Sequence, residues 1–274
     1  MIRALLLYTF VGCIILASAQ VAPTYNQKDH WSGLPLLSKT FSEKFGYEAP
    51  NPFGASLGLF VMSQEFTMDK VSIDGKPVEN FAFTKARGND ITLMPRLDVW
   101  VLPFLNVYGM GGAIQGLMDV EVTVDIPVLG PLQVPLEFEY KGSMFGGGAT
   151  MAGGYKFLFV MLDANYSKAK LNTFDSELDM LMASGRLGVV TEGEDWMTMF
   201  WFGGMYQNMD QYLEQEFILV EGDPKSLMGI NVSVKDEWNM LIGGRIQVGK
   251  RIGILVEGGF FGRQQVFTNL EYRF

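Results

Sequence analysis

Twelve polar residues set the chemistry that this chain can hold in its interior: Arg96, Asp98, Asp163, Asn165, Arg186, Asn239, Arg245, Gln247, Glu257, Asn269, Glu271 and Arg273. Each falls on the polar side of a stretch that alternates between apolar and polar residues, which assigns them to one inward face. Four are arginines and four are carboxylates, and a narrow interior of mixed sign has two uses. One is a lattice of ion pairs that fills the space. The other is a polar pathway for an ion or small solute. Arg245, Glu257 and the Glu271/Arg273 pair sit on three consecutive stretches, which predicts opposite charges as neighbours there.

Catalysis fits less well. Acid–base and nucleophilic work near neutral pH draws most readily on histidine. The one histidine, His30, lies beside Trp31, ahead of the alternating stretches. Asp163 and Glu257 are both assigned inward and would suit a carboxylate-pair hydrolase, but no spacing selects them. Cys13 is the single cysteine and stands in the leader, so the mature chain can form no disulfide and no cysteine metal site. No metal or cofactor is expected.

The elements that must position these residues are long. Ten candidate strands run roughly over 54–65, 89–102, 104–117, 138–153, 156–170, 178–191, 196–211, 234–249, 251–261 and 264–274. Lipid-crossing strands need about 9–11 residues, against about 5–6 for soluble ones. Tight junctions at Pro103-Phe104, Gly153-Gly154-Tyr155, residues 192–195 and Lys250-Arg251 alternate with longer polar stretches. Trp238, Met240, Ile242, Ile246 and Val248 alternate against Asn239, Arg245 and Gln247. "WMTMFWFGGMY", at 196–206, is apolar on both faces and assigns neither. Mid-strand glycine pairs (Gly111-Gly112, Gly146-Gly147, Gly203-Gly204, Gly243-Gly244, Gly258-Gly259) suit the coiling of a narrow barrel and leave room for long inward side chains. The fold expected is all-β: a transmembrane antiparallel up-and-down β-barrel of about ten strands. Eight or twelve stay open, because the connection near Gly262-Arg263 is short for an extracellular loop. A soluble β-sandwich, the rival, seldom has strands this long.

Composition agrees. Residues 1–19 read as a cleaved signal peptide, with Arg3, an apolar run from Ala4 to Ala17, and the small-x-small site Ala17-Ser18-Ala19. That run is roughly 14 residues, short of the ~20 of a helical span; lipoprotein processing at Cys13 is the alternative. The mature chain carries 20 Lys+Arg against 30 Asp+Glu, which excludes a phosphate-neutralising nucleic-acid surface. Residues 20–53 form a pre-barrel periplasmic segment and 54–274 the barrel. Within the former, Leu34, Leu37, Phe41 and Phe45 share one face of a short amphipathic helix, lying at the interface or plugging the lumen. A hairpin around Gly130-Pro131 presents Val120, Val122, Val124, Ile126 and Val128 with Leu132, Val134, Leu136 and Phe138 on one apolar face. It is expected to fold over the barrel mouth as a lid or to meet a partner.

The final strand ends on Leu270, Tyr272 and Phe274, all on one face. This ending resembles the terminal strand of bacterial outer-membrane β-barrels. The resemblance implies an outer-membrane location, contact with outer-membrane lipid, and recognition of Leu270, Tyr272 and Phe274 by the barrel-assembly machinery. Met94 to Gly112, "MPRLDVWVLPFLNVYGMGG", also resembles a strand-turn-strand of Gram-negative envelope proteins, a likeness that implies no activity. The function expected is a narrow or gated channel for ions or small solutes; the alternative is a closed structural or surface-binding barrel whose extracellular loops do the work.

Overall fold

The computed structural model describes residues 34–37, 50–78, 81–126, 130–172, 176–217 and 226–274. The expected signal peptide, His30, most of the 34–45 segment and Val128 lie outside them. Among the described residues no helix is long and apolar enough to cross a membrane.

Alternation at 3.3 Å per residue sends successive side chains to opposite faces of a strand, and the wall follows from it. Ten strands close into one antiparallel barrel: β1 (Phe53–Ile73), β3 (Phe81–Leu102), β4 (Leu105–Ile126), β5 (Gly130–Tyr155), β6 (Leu158–Leu171), β7 (Glu177–Glu192), β8 (Trp196–Asn208), β11 (Trp238–Val248), β12 (Ile252–Phe260) and β13 (Arg263–Arg273). The seam is β1 against β13, in register from Gly54↔Arg273 to Gln64↔Arg263. Three further strands are additions at the extracellular end. β2 (Lys76–Pro77) turns back on the tip of β1, and β9 (Asp210–Phe217) with β10 (Ser226–Val234) form a hairpin inserted between β8 and β11.

Outward residues make an apolar belt. Leu57, Leu59 and Val61 on β1, Leu93 and Leu97 on β3, Ile242 and Ile246 on β11, and Ile254 and Val256 on β12 are all substantially exposed. Aromatic residues mark its two rims: Phe53, Tyr155, Phe157, Trp196, Tyr272 and Phe274 below, Tyr166, Trp238 and Phe260 above. A contiguous apolar surface of this extent must be covered, and a band about 25 Å tall between aromatic girdles is what lipid covers. The short turns share the lower, periplasmic side. One differs from expectation: β5 continues through Gly153, Gly154 and Tyr155, and the chain reverses at Lys156-Phe157, where Lys156 takes a φ of 56°.

The polar stretches expected as extracellular loops are largely strand. β1, β3, β4 and β5 continue well past the belt, and β10 and β9 extend the same sheet, in the order β5-β4-β3-β1-β10-β9. Outside the membrane the outer face of a wall strand meets water, so its polar residues need no loop to hold them. The hairpin around Gly130-Pro131 is accordingly no lid. It stands upright, paired from Leu105↔Met151 to Ile126↔Gly130. The β4 arm of its apolar face turns inward, with Val120 and Val122 buried beside Ala86, Met118, Tyr140 and Leu171, while Leu132 and Leu136 on the β5 arm stay about half exposed. A second cluster, Val71, Met209, Ile230, Val232 and Val234, shares Phe66, Met68, Phe83 and Leu178 with the first. Together they fill the crown with an apolar core. Above Gly142, where β6 ends against it, β5 is an edge strand. Pro131 and Pro135 fall there, and each removes a backbone donor from the free edge.

Candidate functional site in the barrel lumen

A cavity of about 390 Å³ occupies the lumen. Asn51, Pro103 and Lys250 line it at the periplasmic rim, and Ala169 and Leu178 line it under the crown core. Of the twelve inward candidates, eleven line it; Asn239 is buried higher up, at 3% exposure.

Their charges form three groups. At the periplasmic end, Arg273 donates to Asp98 (2.6 Å) and to the Asn51 carbonyl (2.8 Å), and pairs with Glu271. Asp98 also accepts from Asn106 (2.5 Å), whose carbonyl accepts from Arg96 (2.9 Å). The Arg96 guanidinium in turn covers the Tyr108 ring, 3.5 Å from its centroid. The second group surrounds Asp163, which accepts from Thr150 (2.6 Å), Tyr108 (3.0 Å) and Asn165 (3.3 Å). The third is Glu257, 2% exposed, which accepts from Arg186 Nε (2.6 Å), Arg186 Nη2 (2.8 Å) and Trp201 Nε1 (2.6 Å).

The expected neighbours Arg245 and Glu257 do not pair. Register is the reason: Arg245 stands opposite Leu255, and Glu257 opposite Gly243. Arg245 reaches across Gly253 on β12 to Glu271 on β13 (3.0 Å) and donates to Gln247 (3.0 Å). A Cβ at Gly253 would stand 2.9 Å from Arg245 Nη2, so the missing side chain is what opens that path. Gly243 does the same for Trp201, whose ring passes 2.7 Å from where a Cβ would be on its way to Glu257.

Sequence reasoning missed the other half of the lining. Met62, Met94, Met110, Met144, Met161, Met180, Met182, Met197, Met199 and Met205 all face the cavity. Alternation assigns apolar residues outward, and a strand apolar on both faces, such as β8, gives no signal for the inward set. Asp90, 8% exposed with Tyr140 donating to it at 3.3 Å, is a further inward residue that the candidate set lacks, although the same period of two carries Thr92, Arg96 and Asp98 back to it. Arg263, 2% exposed at the upper end of β13, is another, because Gly262-Arg263 reads as a turn in the sequence.

No protein-family model matches the chain, and no curated protein matches it. Solved structures do. The outer membrane protein OprG from Pseudomonas aeruginosa aligns at 14% identity over 82% of this chain and 98% of its own, with a TM-score of 0.45. The β domain of the Bordetella autotransporter BrkA aligns at 13% over 81% and 100%, TM-score 0.37. The Pseudomonas putida toluene transporter TodX aligns at 10% over 94% and 95%, TM-score 0.29. Likeness at these values transfers no activity, and the class rests on the chain's own geometry. With its ten-stranded antiparallel wall closed by β1 and β13, an apolar belt between aromatic rims outside and paired charges within, the chain has the fold of a transmembrane β-barrel of the outer-membrane type.

Proposed function

We propose that this protein is a narrow, gated channel for small solutes, seen with its extracellular end shut. The cavity carries this reading: it runs from the periplasmic rim at Asn51 and Lys250 to Leu178, and Leu178 packs against the crown core that blocks the way out. A barrel with a purely structural interior has no need of a continuous hollow on one side of an apolar stopper. The methionine lining supports a solute with apolar surface, since methionine side chains adapt to varied shapes, while the ion pairs hold the wall of the pathway in place.

The alternative is a closed barrel with a surface-binding role. The specific observation in its favour is that Arg186, Arg245 and Arg273 are each engaged by a carboxylate, which leaves little unpaired charge for a passing ion. Planar-bilayer conductance of the refolded mature protein separates the two. Val122, 2% exposed in the crown core, is the residue to perturb. Channel steps that become more frequent in Val122→Asp support the gate; silence in both wild type and variant supports the closed barrel.

Assembly is a separate proposal. Leu270, Tyr272 and Phe274 face outward along the seam strand, where Phe274 stacks on Phe53 at 6.4 Å, an orientation that leaves them accessible to assembly machinery before closure. Slower assembly of Phe274→Ala in proteoliposomes holding the purified machinery, with unchanged unassisted refolding, supports that role.

A further inference from the structure

At the upper end of the lumen lies a polar cluster that belongs to none of the three charge groups. Arg263 stands opposite Gln64 across the seam and is 2% exposed. Its Nε donates to Gln265 (2.7 Å), its Nη2 lies 2.7 Å from the Met205 sulfur, a weak acceptor, and its Nη1 has no partner. Among the described residues Arg263 makes no ion pair, unlike Arg186, Arg245 and Arg273. Three more donors nearby are unpaired: Gln64 Nε2, Asn239 Nδ2 and Gln265 Nε2. Their side chains are 2%, 3% and 4% exposed. Asn239 and Gln265 converge, since a Cβ at Gly259 would meet Asn239 Nδ2 and Gln265 Cγ, each at 2.5 Å. The one unpaired acceptor is Gln207 Oε1, whose amide nitrogen already donates to Gln64 (3.3 Å).

Buried donors are nearly always satisfied, and here three go without beside a cation that lacks a counter-charge and has an unpaired N–H of its own. What completes such a set is an anion with several acceptor lone pairs. A guanidinium and amide N–H groups match a carboxylate, and the single positive charge balances a monoanion better than a dianionic phosphate. Met205 and Gln265 line the cavity directly below, so a solute coming up the lumen meets this cluster next. The unpaired atoms are closed off in this conformation. Opening them takes a move of the flexible Met205 side chain.

We propose that Arg263, with Gln64, Asn239 and Gln265, recognises the carboxylate of a small solute at the extracellular end of the lumen, while the methionine wall below holds its apolar remainder. The proposal rests on the reading of the lumen as a solute pathway. The test is calorimetric titration of the refolded protein with butyrate and with butyramide, its uncharged counterpart, at fixed sodium chloride. Wild type is expected to bind butyrate at least tenfold more tightly than butyramide. Arg263→Gln abolishes the difference, Gln265→Leu weakens butyrate severalfold, and Lys85→Gln on the outer face of the crown changes nothing. Equal binding of the two probes, or butyrate affinity unchanged in Arg263→Gln, overturns the proposal. Should Arg263→Gln not refold, Gln265→Leu carries the same decision. Conductance recorded on the same preparations separates the two readings. Arg263-dependent butyrate binding in a barrel that never conducts keeps the site and removes the pathway, whereas conductance with Arg263-independent binding does the reverse.

Discussion

The Arg186–Glu257 pair offers a test with a calculable size. Glu257 has 2% of its side chain exposed and Arg186 12%, and two charge-assisted bonds of 2.6 and 2.8 Å join them. Glu257 is almost shut off from the lumen and Arg186 opens to it only narrowly, so water can replace little of what either loses on unpairing. Arg186→Met leaves the carboxylate with Trp201 alone, and Glu257→Leu leaves a buried guanidinium and an unpaired Trp201 N–H. Each single change is expected to cost about 3–5 kcal/mol, the usual result of breaking a buried pair from one side. The double variant removes both charges at once, leaves the Trp201 donor unpaired and takes from the Ser184 hydroxyl the bond that Arg186 Nη1 donated at 2.7 Å, a cost of about 1–3 kcal/mol. The coupling between the sites then comes to about 3 kcal/mol or more, well above the few tenths found for independent positions. The assay is equilibrium urea unfolding in phospholipid vesicles, followed by tryptophan emission. A double variant whose loss equals the sum of the single losses would refute the reasoning, because it would mean that the two charges do not act as one desolvated unit.

Three other outcomes follow from named contacts. Gly253→Ala sets a methyl 2.9 Å from Arg245 Nη2 and pushes it off Glu271, so a loss of about 1–3 kcal/mol is expected in the same urea assay, and none in an Arg245→Gln background. In the crown, the Lys235 ammonium first and then Arg87 hold the Glu65 carboxyl down to about 2, from an ordinary 4.5. A lowered folded value means the contribution is complete above about 4.5 and lost as pH falls toward about 2; pepsin cleavage within β9 and β10 should rise across that window, and Glu65→Gln should show greater protease access already at neutral pH. Replacing Pro131 and Pro135 by threonine restores two donors to the free edge of β5, and size-exclusion chromatography should then show more association between barrels than in wild type.

The ten lanes of the wall were legible because lipid outside and a polar lumen inside impose the same period of two on every crossing strand, as Trp238–Val248 displays with Asn239, Arg245 and Gln247 facing inward. The upper halves of β1 and β3 were not legible as strand, and those of β4 and β5 were legible as a hairpin but not as part of the wall. There water bathes the outer face while the crown core occupies the inner one, so the faces exchange polarity and the stretch reads as loop or as lid. Charge partners were beyond reach for a different reason. Arg245 and Glu257 are near in sequence terms, yet stagger between strands and the two gaps at Gly243 and Gly253 direct each to a partner elsewhere. The methionine lining and Arg263 needed the closed wall itself, since nothing in a stretch that is apolar on both faces says which side is the lumen.

On the edge away from β3, β1 takes two partners in succession, β13 along Gly54–Gln64 and β10 along Phe66–Ile73, and this shapes how the cylinder closes. Joining Gln64 to Arg263 directly means closing a loop of roughly 200 residues. If Phe66 and Val234 have met first, roughly 30 residues remain to be closed, and the entropic cost of the last step falls by about 2 kcal/mol. The hairpin above the membrane thereby acts as a clasp, holding the two ends of an unfinished cylinder in reach of each other, and a variant that loosens β10 from β1 should close more slowly even where the finished barrel is equally stable.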